Sequence, residues 1–211
     1  MAGLFYGQRV VSKLSVAIAG YGTAGQSAAM LLARDGHRVE VFERAKQPGP
    51  IGAGFLLQPT GLQVLWRMGL LDAALAHGAP VSRLYGETQS GRAVMDMRYA
   101  GMDPRLFGLG MQRGALFELL AQAWGTDDAT REGVLHRGTC IETIDDDMRR
   151  IRDQHGRWHG PFDLVIAADG AASRLRAVVD SHSPDRPYPW GTLWCLLPGA
   201  GWPWAGELCQ R

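Results

Sequence analysis

The chain has 211 residues, with 22 Lys and Arg against 21 Asp and Glu for a formal net charge of +1, and it is 46% hydrophobic and 20% charged. That balance excludes wholesale disorder, and the near-zero charge leaves no basic excess for nucleic-acid binding. Three scattered cysteines without a CxxC argue against a disulfide framework or structural zinc, no apolar run reaches 18 residues to span a membrane, and the expected compartment is cytoplasmic.

Residues 1–14 read as a leader without the apolar core of a secretory signal. Ser15–Ala19 is a short apolar run ending at Gly20 and predicts a buried strand. Thr23–Arg34, rich in Ala, Leu and Met, predicts a helix closed by Gly36, and His37–Phe42 predicts a second strand ending at Glu43. Strand, glycine turn, helix and strand make a βαβ unit of about 30 residues. Beyond a Pro/Gly-rich loop, Pro59 opens a helix through Leu71. Val81–Tyr85 and Arg92–Met97 flank Gln89–Gly91 as a hairpin, and Gly114–Trp124 forms the next helix. Val134–His136, Cys140–Asp145, Ile151–Asp153 and Arg157–His159 read as short strands, with Asp145–Asp147 in a polar turn. Asp163–Ala168 is a second apolar strand, followed by a short helix at Ser173–Val179. From Ser181 the composition shifts to Pro, Trp and Tyr. Gly191–Leu197 reads as a strand, and Gly199–Arg211 shows no closing element, as if the chain were cut inside a domain. Packing against a sheet is the expected role of Trp190, Trp194, Trp202 and Trp204.

The first chemical motif is Gly20-Tyr21-Gly22-Thr23-Ala24-Gly25, placed after a buried strand and opening a helix. Gly20 permits the tight turn, Gly22 removes a side chain where a pyrophosphate must approach, and Gly25 lets the helix pack closely. The helix start offers free N–H groups to phosphate, and Glu43 stands where a carboxylate accepts ribose hydroxyls. This fingerprint predicts dinucleotide binding and does not separate NAD from FAD. Three further features bear on that choice. A buried strand delivers Asp169-Gly170 at its carboxyl end, with Ser173 as a cap and with Arg174 and Arg176 able to face phosphate. Arg113 precedes a helix, where its charge opposes the dipole unless an anion or an ion pair compensates. Ile51–Pro59 is a small-residue loop that lets a flat ring approach backbone.

Together these residues, from about Ser15 to Leu197, resemble the class A flavin-dependent monooxygenases, the aromatic hydroxylases typified by para-hydroxybenzoate hydroxylase. The resemblance implies an α/β fold: a Rossmann-like FAD-binding domain over 15–180 with β-hairpin insertions, 81–110 contributing to an incomplete mixed-sheet substrate domain that resumes at 181–211. It implies FAD as cofactor, held by Gly20, Gly22, Thr23, Ala24, Gly25, Glu43, Arg44, Arg113, Leu135, Asp169 and Gly170. It further implies NAD(P)H as cosubstrate, O2 as the source of the oxygen atom, and a small aromatic substrate, with no catalytic side chain and no metal assigned. The family's second Gly-Asp motif occurs nowhere here, so the chain reads as an N-terminal portion completed by a missing C-terminal half or by a homo-oligomer. A catalytically inactive, truncated dinucleotide-binding module and an FAD-dependent reductase or epoxidase of the same fold are the alternatives. A plain NAD dehydrogenase leaves Arg113 and the Asp-Gly strand unexplained.

Overall fold

A strand as apolar as Ser15–Ala19 needs cover on both faces and both edges, and the fold supplies it. The computed structural model describes residues 12–49, 52–179 and 204–211, together with 186, 188–191, 193, 195 and 201. In chain order its elements are β1 (Ser15–Ala19), α1 (Thr23–Arg34), β2 (Arg38–Glu43), β3 (Gly54–Leu57), α2 (Pro59–Arg67), α3 (Leu71–Ala76), β4 (Gly78–Val81), β5 (Arg83–Glu87), β6 (Ala93–Arg98), β7 (Gly108–Gln112), α4 (Arg113–Thr126), β8 (Val134–Arg137), β9 (Ile141–Ile144), β10 (Ile151–Asp153), β11 (Trp158–His159), β12 (Leu164–Ala167), α5 (Arg176–Val179) and β13 (Glu207–Gln210). They fall into two units, one drawn from the described residues of Met1–Gln47 and Asp127–Ser181, the other from those of Pro48–Thr126 and His182–Arg211.

The first unit is built on a parallel sheet of order β12-β1-β2-β8. Val16, Ala17 and Ile18 at its centre have no exposed surface, and Val39, Val41 and Phe42 have almost none. Each large apolar side chain buried this way contributes roughly 1.5–3 kcal/mol. Helix α1 buries Gly25, Gln26, Ala29, Met30 and Ala33, a stripe at helical spacing. It ends as the Gly36 reading requires. With Gly36 at φ +88°, its N–H donates to Ala33 and that of His37 to Leu32, which satisfies the last carbonyls. Strands β9, β10 and β11 form an antiparallel meander. Its Ile141, Ile144 and Ile151 join Ala17, Ala19, Phe42, Phe162 and Leu175 in one core cluster.

The meander also carries a buried polar group. Asp153, 5% exposed, accepts hydrogen bonds from the His155 and Arg157 N–H groups and pairs with His159 Nε2 at 2.8 Å. His159 meets the edge of Phe42, whose face stacks on His136, and His136 in turn pairs with Glu40. Burial pushes the Asp153 carboxyl up, but the bonds from His159, His155 and Arg157 outweigh it and hold the group below the usual carboxylate range. A folded-state pKa below the unfolded value of about 3.9 means that the stabilisation is complete above that value and is lost as pH falls through the folded one. Urea unfolding at stepped pH is therefore expected to show an acid limb that Asp153→Asn flattens; an unchanged limb places the acid sensitivity elsewhere.

The second unit holds one antiparallel and one mixed three-stranded sheet. Strand β7 lies between β3 and β4, and β5 lies between β6 and β13. Tyr99, 1% exposed, packs with Val81 and Leu84 and donates its hydroxyl to Gln58 at 2.7 Å.

Several elements depart from the sequence reading. The helix expected from Pro59 to Leu71 stops at Arg67, where Gly69 at φ +67° breaks it before α3. The helix expected from Ser173 starts at Arg176. The chain end does contain a closing element, because β13 pairs parallel with β5, Glu207 opposite Arg83. Most of the strand expected at Gly191–Leu197 lies outside the described residues, and 191, 193 and 195 are not in a strand. Trp190 is 76% exposed and Trp204 50%, so neither packs in a core; Trp194 and Trp202 lie outside the described residues. Among the described residues no helix is long and apolar enough to cross a membrane.

Candidate functional site

Three parallel strands end level with one another in the first unit. Ala19 of β1 is in register with Phe42 of β2 and with Ala167 of β12. Because β1 sends its connection to β2 on one side and has β12 on the other, its carboxyl end is a topological switch point, where open α/β sheets bind ligands.

The glycine turn is fixed there by packing. The Gly20 N–H donates to the Phe42 carbonyl at 2.7 Å, and the Ala168 N–H donates to Ala19 at 2.8 Å. Gly20 has φ +107°, and a Cβ on it would collide with the Ala168 carbonyl. A Cβ on Gly25 would run into the Gly20 carbonyl oxygen, so the close approach of α1 to β1 depends on it. Gly22 differs from both. Its backbone is ordinary (φ −73°, ψ −176°), and a Cβ there would meet nothing within 4 Å. The fold does not need a glycine at position 22; the open space in front of it fits a bound group.

That space faces an uncapped helix start. Gly22 is the N-cap of α1 with no side-chain cap, and the first turn has no acid. Gly22, Thr23 and Ala24 are exposed, and their N–H groups meet no acceptor among the described residues. Free N–H groups at the positive end of a 12-residue helix attract an anion. The half-buried Glu43 closes one side. Its Oε2 accepts the Tyr21 N–H at 2.8 Å and its Oε1 the Ala45 N–H at 2.7 Å. Each carboxylate oxygen keeps a further lone pair for a ribose hydroxyl. Arg44 follows, exposed and without a partner among the described residues. Leu135, half-buried on β8, is in register with Val41.

Asp169 lies behind the turn, since its Cα is among the atoms a Gly20 Cβ would approach. Its Oδ2 accepts the Arg174 N–H at 3.0 Å and the Leu175 N–H at 3.5 Å, so it shapes the entry to α5. Ser173 caps that entry by accepting the Arg176 N–H, and Gly170 is exposed at φ +88°. Arg174 and Arg176 are held locally, by Glu142 and by the Ala171 carbonyl.

Arg113 belongs to the second unit, at the first position of α4. The structure joins it to the small-residue loop that the sequence presented separately. Its N–H donates to Ala53, and its side chain crosses Gly52, where a Cβ would sit 3.3 Å from the Arg113 Cδ and 3.4 Å from Nη1. The guanidinium is exposed and has no carboxylate partner among the described residues, so no ion pair there offsets its unfavourable place on the helix dipole. Sequence reasoning missed Gln26, a polar side chain on the apolar face of α1 that donates to the Tyr21 carbonyl at 3.0 Å. Its one signal is an amide where the helical pattern calls for Leu or Met.

A parallel sheet with a glycine turn, a bare helix start and an acid at adjacent strand ends defines a dinucleotide-binding α/β protein. Residues 13–198 match the model of the FAD binding domain, and the chain belongs to that family. It is 31% identical over 201 residues to an FAD-dependent urate hydroxylase of Klebsiella oxytoca, covering 88% of this chain and 50% of the relative. It is 27% identical to 3-hydroxybenzoate 6-hydroxylase 1 of Aquipseudomonas alcaligenes, covering 93% and 53%. Among solved structures, Pseudomonas aeruginosa PqsL in complex with 2-aminobenzoylacetate superposes with a TM-score of 0.68 at 30% identity, covering 84% of this chain and 48% of that one. The chain spans about half the length of the curated relatives it matches.

Proposed function

We propose that this chain holds the ADP half of FAD at the turn Gly20–Gly25, and that it is the N-terminal portion of a cytoplasmic, NAD(P)H- and O2-dependent monooxygenase that hydroxylates a small aromatic compound. The observation that carries the reading is the open space at Gly22 in front of the unpartnered N–H groups of α1. The relatives support the reaction class, since their names describe FAD-dependent hydroxylation of urate and hydroxylation of 3-hydroxybenzoate.

When bound, FAD supplies the electron transfer and the reaction with O2. The residues of this chain bind and orient it. The N–H groups of Gly22, Thr23 and Ala24 receive the diphosphate, and Glu43, already fixed by Tyr21 and Ala45, receives the ribose. Arg44 and Leu135 flank the adenosine side, and Asp169 and Gly170 stand behind the turn. A C-terminal half, contributed by further chain or by a second polypeptide, completes the substrate site.

The test is an absorption spectrum of the purified chain after incubation with FAD and desalting. Retained flavin bands support the proposal; a folded circular dichroism signal without them favours the inert nucleotide-binding module. In the same assay Glu43→Ala is expected to weaken FAD binding about tenfold, roughly 1.4 kcal/mol, through loss of the ribose acceptor and of the bonds that fix the turn. Unchanged affinity would remove Glu43 from the ribose site.

A further inference from the structure

Gln26 is fully buried, at 0% exposure, in the first turns of α1. Its Nε2 donates to the Tyr21 carbonyl at 3.0 Å, while its Oε1, also buried, meets no donor among the described residues. Burying an amide with one end unsatisfied costs stability; an apolar side chain of similar size would avoid that cost but would take from the Tyr21 carbonyl the donor that Nε2 supplies. The Oε1 end brings no stabilisation of its own, so the residue is understood through what Nε2 holds.

What it holds is the second of two consecutive peptide planes in the turn. The Gly20–Tyr21 peptide is fixed through its N–H by Glu43 Oε2, at 2.8 Å. The Tyr21–Gly22 peptide is fixed through its carbonyl by Gln26. The first backbone bond of α1 runs from the Gln26 N–H to the carbonyl of the N-cap Gly22, at 2.9 Å, so the Tyr21 carbonyl lies one residue outside the helix ladder and takes the side chain of Gln26. In a planar trans peptide the C=O and the N–H point in opposite directions. A Tyr21 carbonyl drawn inward to a buried amide sets the Gly22 N–H outward, on the exposed side where Gly22, Thr23 and Ala24 lie.

We propose that Gln26 is a positioning residue for the diphosphate: by holding the Tyr21 carbonyl inside the protein, it aims the Gly22 N–H at the ligand. The role rests on the cofactor reading above, and it makes the turn preformed, with Glu43 and Gln26 gripping its two peptides from opposite ends. Preorganisation of this kind lowers the ordering cost of binding and adds no contact of its own to the ligand.

Titration of the whole 211-residue chain and of Gln26→Leu with ADP and with adenosine, alongside thermal unfolding without ligand, tests this. ADP affinity is expected to fall about tenfold in the variant, while adenosine affinity stays within about twofold, because only the diphosphate uses the aimed N–H. The melting temperature of the ligand-free variant is expected to change little, since the loss of the buried, unsatisfied Gln26 Oε1 is offset by the loss of the Nε2 bond to the Tyr21 carbonyl. Gln26→Met, unbranched and close in length, gives the same comparison if Leu perturbs packing. Wild-type ADP affinity in both variants overturns the positioning role and leaves the cofactor site intact. Parallel losses for ADP and adenosine with a lower melting temperature overturn it in favour of a purely structural role. A wild-type chain that binds neither probe removes the cofactor reading and this inference together.

Discussion

Gly22→Asp is expected to abolish FAD binding while raising the stability of the protein. Position 22 is the N-cap of α1, with an extended backbone that any residue adopts and open space where a Cβ would stand. An aspartate there caps the helix and complements its dipole, worth about 1 kcal/mol, which for a chain of this size raises the melting temperature by roughly 2–4 °C. The same carboxylate occupies the space in front of the free N–H groups and sets a negative charge against a diphosphate. The expected loss is about 100-fold or more in FAD affinity, roughly 2.7 kcal/mol. Scanning calorimetry and fluorescence titration read the two effects separately. Wild-type affinity in this variant would move the diphosphate away from the turn.

Gly20→Ala is expected to do the opposite, removing the fold rather than the ligand. Its φ of +107° is strained for any side chain, and the added Cβ collides with the backbone carbonyl of Ala168, which belongs to the loop after the central sheet and has little freedom to move. The expected destabilisation is roughly 3 kcal/mol or more, a large part of the stability of an ordinary domain. Gly36→Ala is the control. That glycine also has a positive φ, of +88°, but a Cβ on it meets nothing within 4 Å. Its cost is expected to be about 1 kcal/mol. Urea unfolding of the two variants side by side decides the point, and equal costs would mean that Ala168 does not press on the turn.

The contrast among these glycines shows what could be read from the sequence. The unit Ser15–Glu43 was legible because its signals are local: an apolar strand, a glycine turn, an Ala- and Leu-rich helix, and a stop at Gly36, all within about 30 residues. The pairs β5–β6 and β9–β10 were legible for the same reason, since each closes over a short polar turn. Strands β3, β4 and β7 were not. Gly54, Gly78, Pro80, Gly108 and Gly110 carry poor strand propensity, and these segments are extended because they pair with one another, Gly54 with Gln112 and Gly78 with Met111. Strand β13 was invisible because its partner β5 lies at the other end of the same unit.

The candidate site divides along the same line. Motif spacing located Gly20, Gly22, Gly25 and Glu43, but not that both oxygens of Glu43 are engaged by backbone N–H groups, nor that Gln26 grips the next peptide. Arg113 and the loop at Gly52 were two separate hints. Only the antiparallel pairing of β3 with β7 brings the side chain across that glycine. Asp169 was read as open either to a ligand or to the following backbone, and one of its oxygens holds the N–H groups of Arg174 and Leu175.

The discontinuous make-up of the first unit governs the order in which it can be assembled. Strand β1 finds β2 almost at once, but its other neighbour, β12, and the Ala168 carbonyl that backs Gly20 come much later in the chain. On a ribosome adding roughly 5–20 residues per second, the glycine turn spends several seconds as an unsupported bend beside an open strand, while the whole of Pro48–Thr126 emerges. The supported turn is therefore a late product of translation, and premature stops before residue 168 leave a nascent chain that carries the full glycine motif without the wall it leans on.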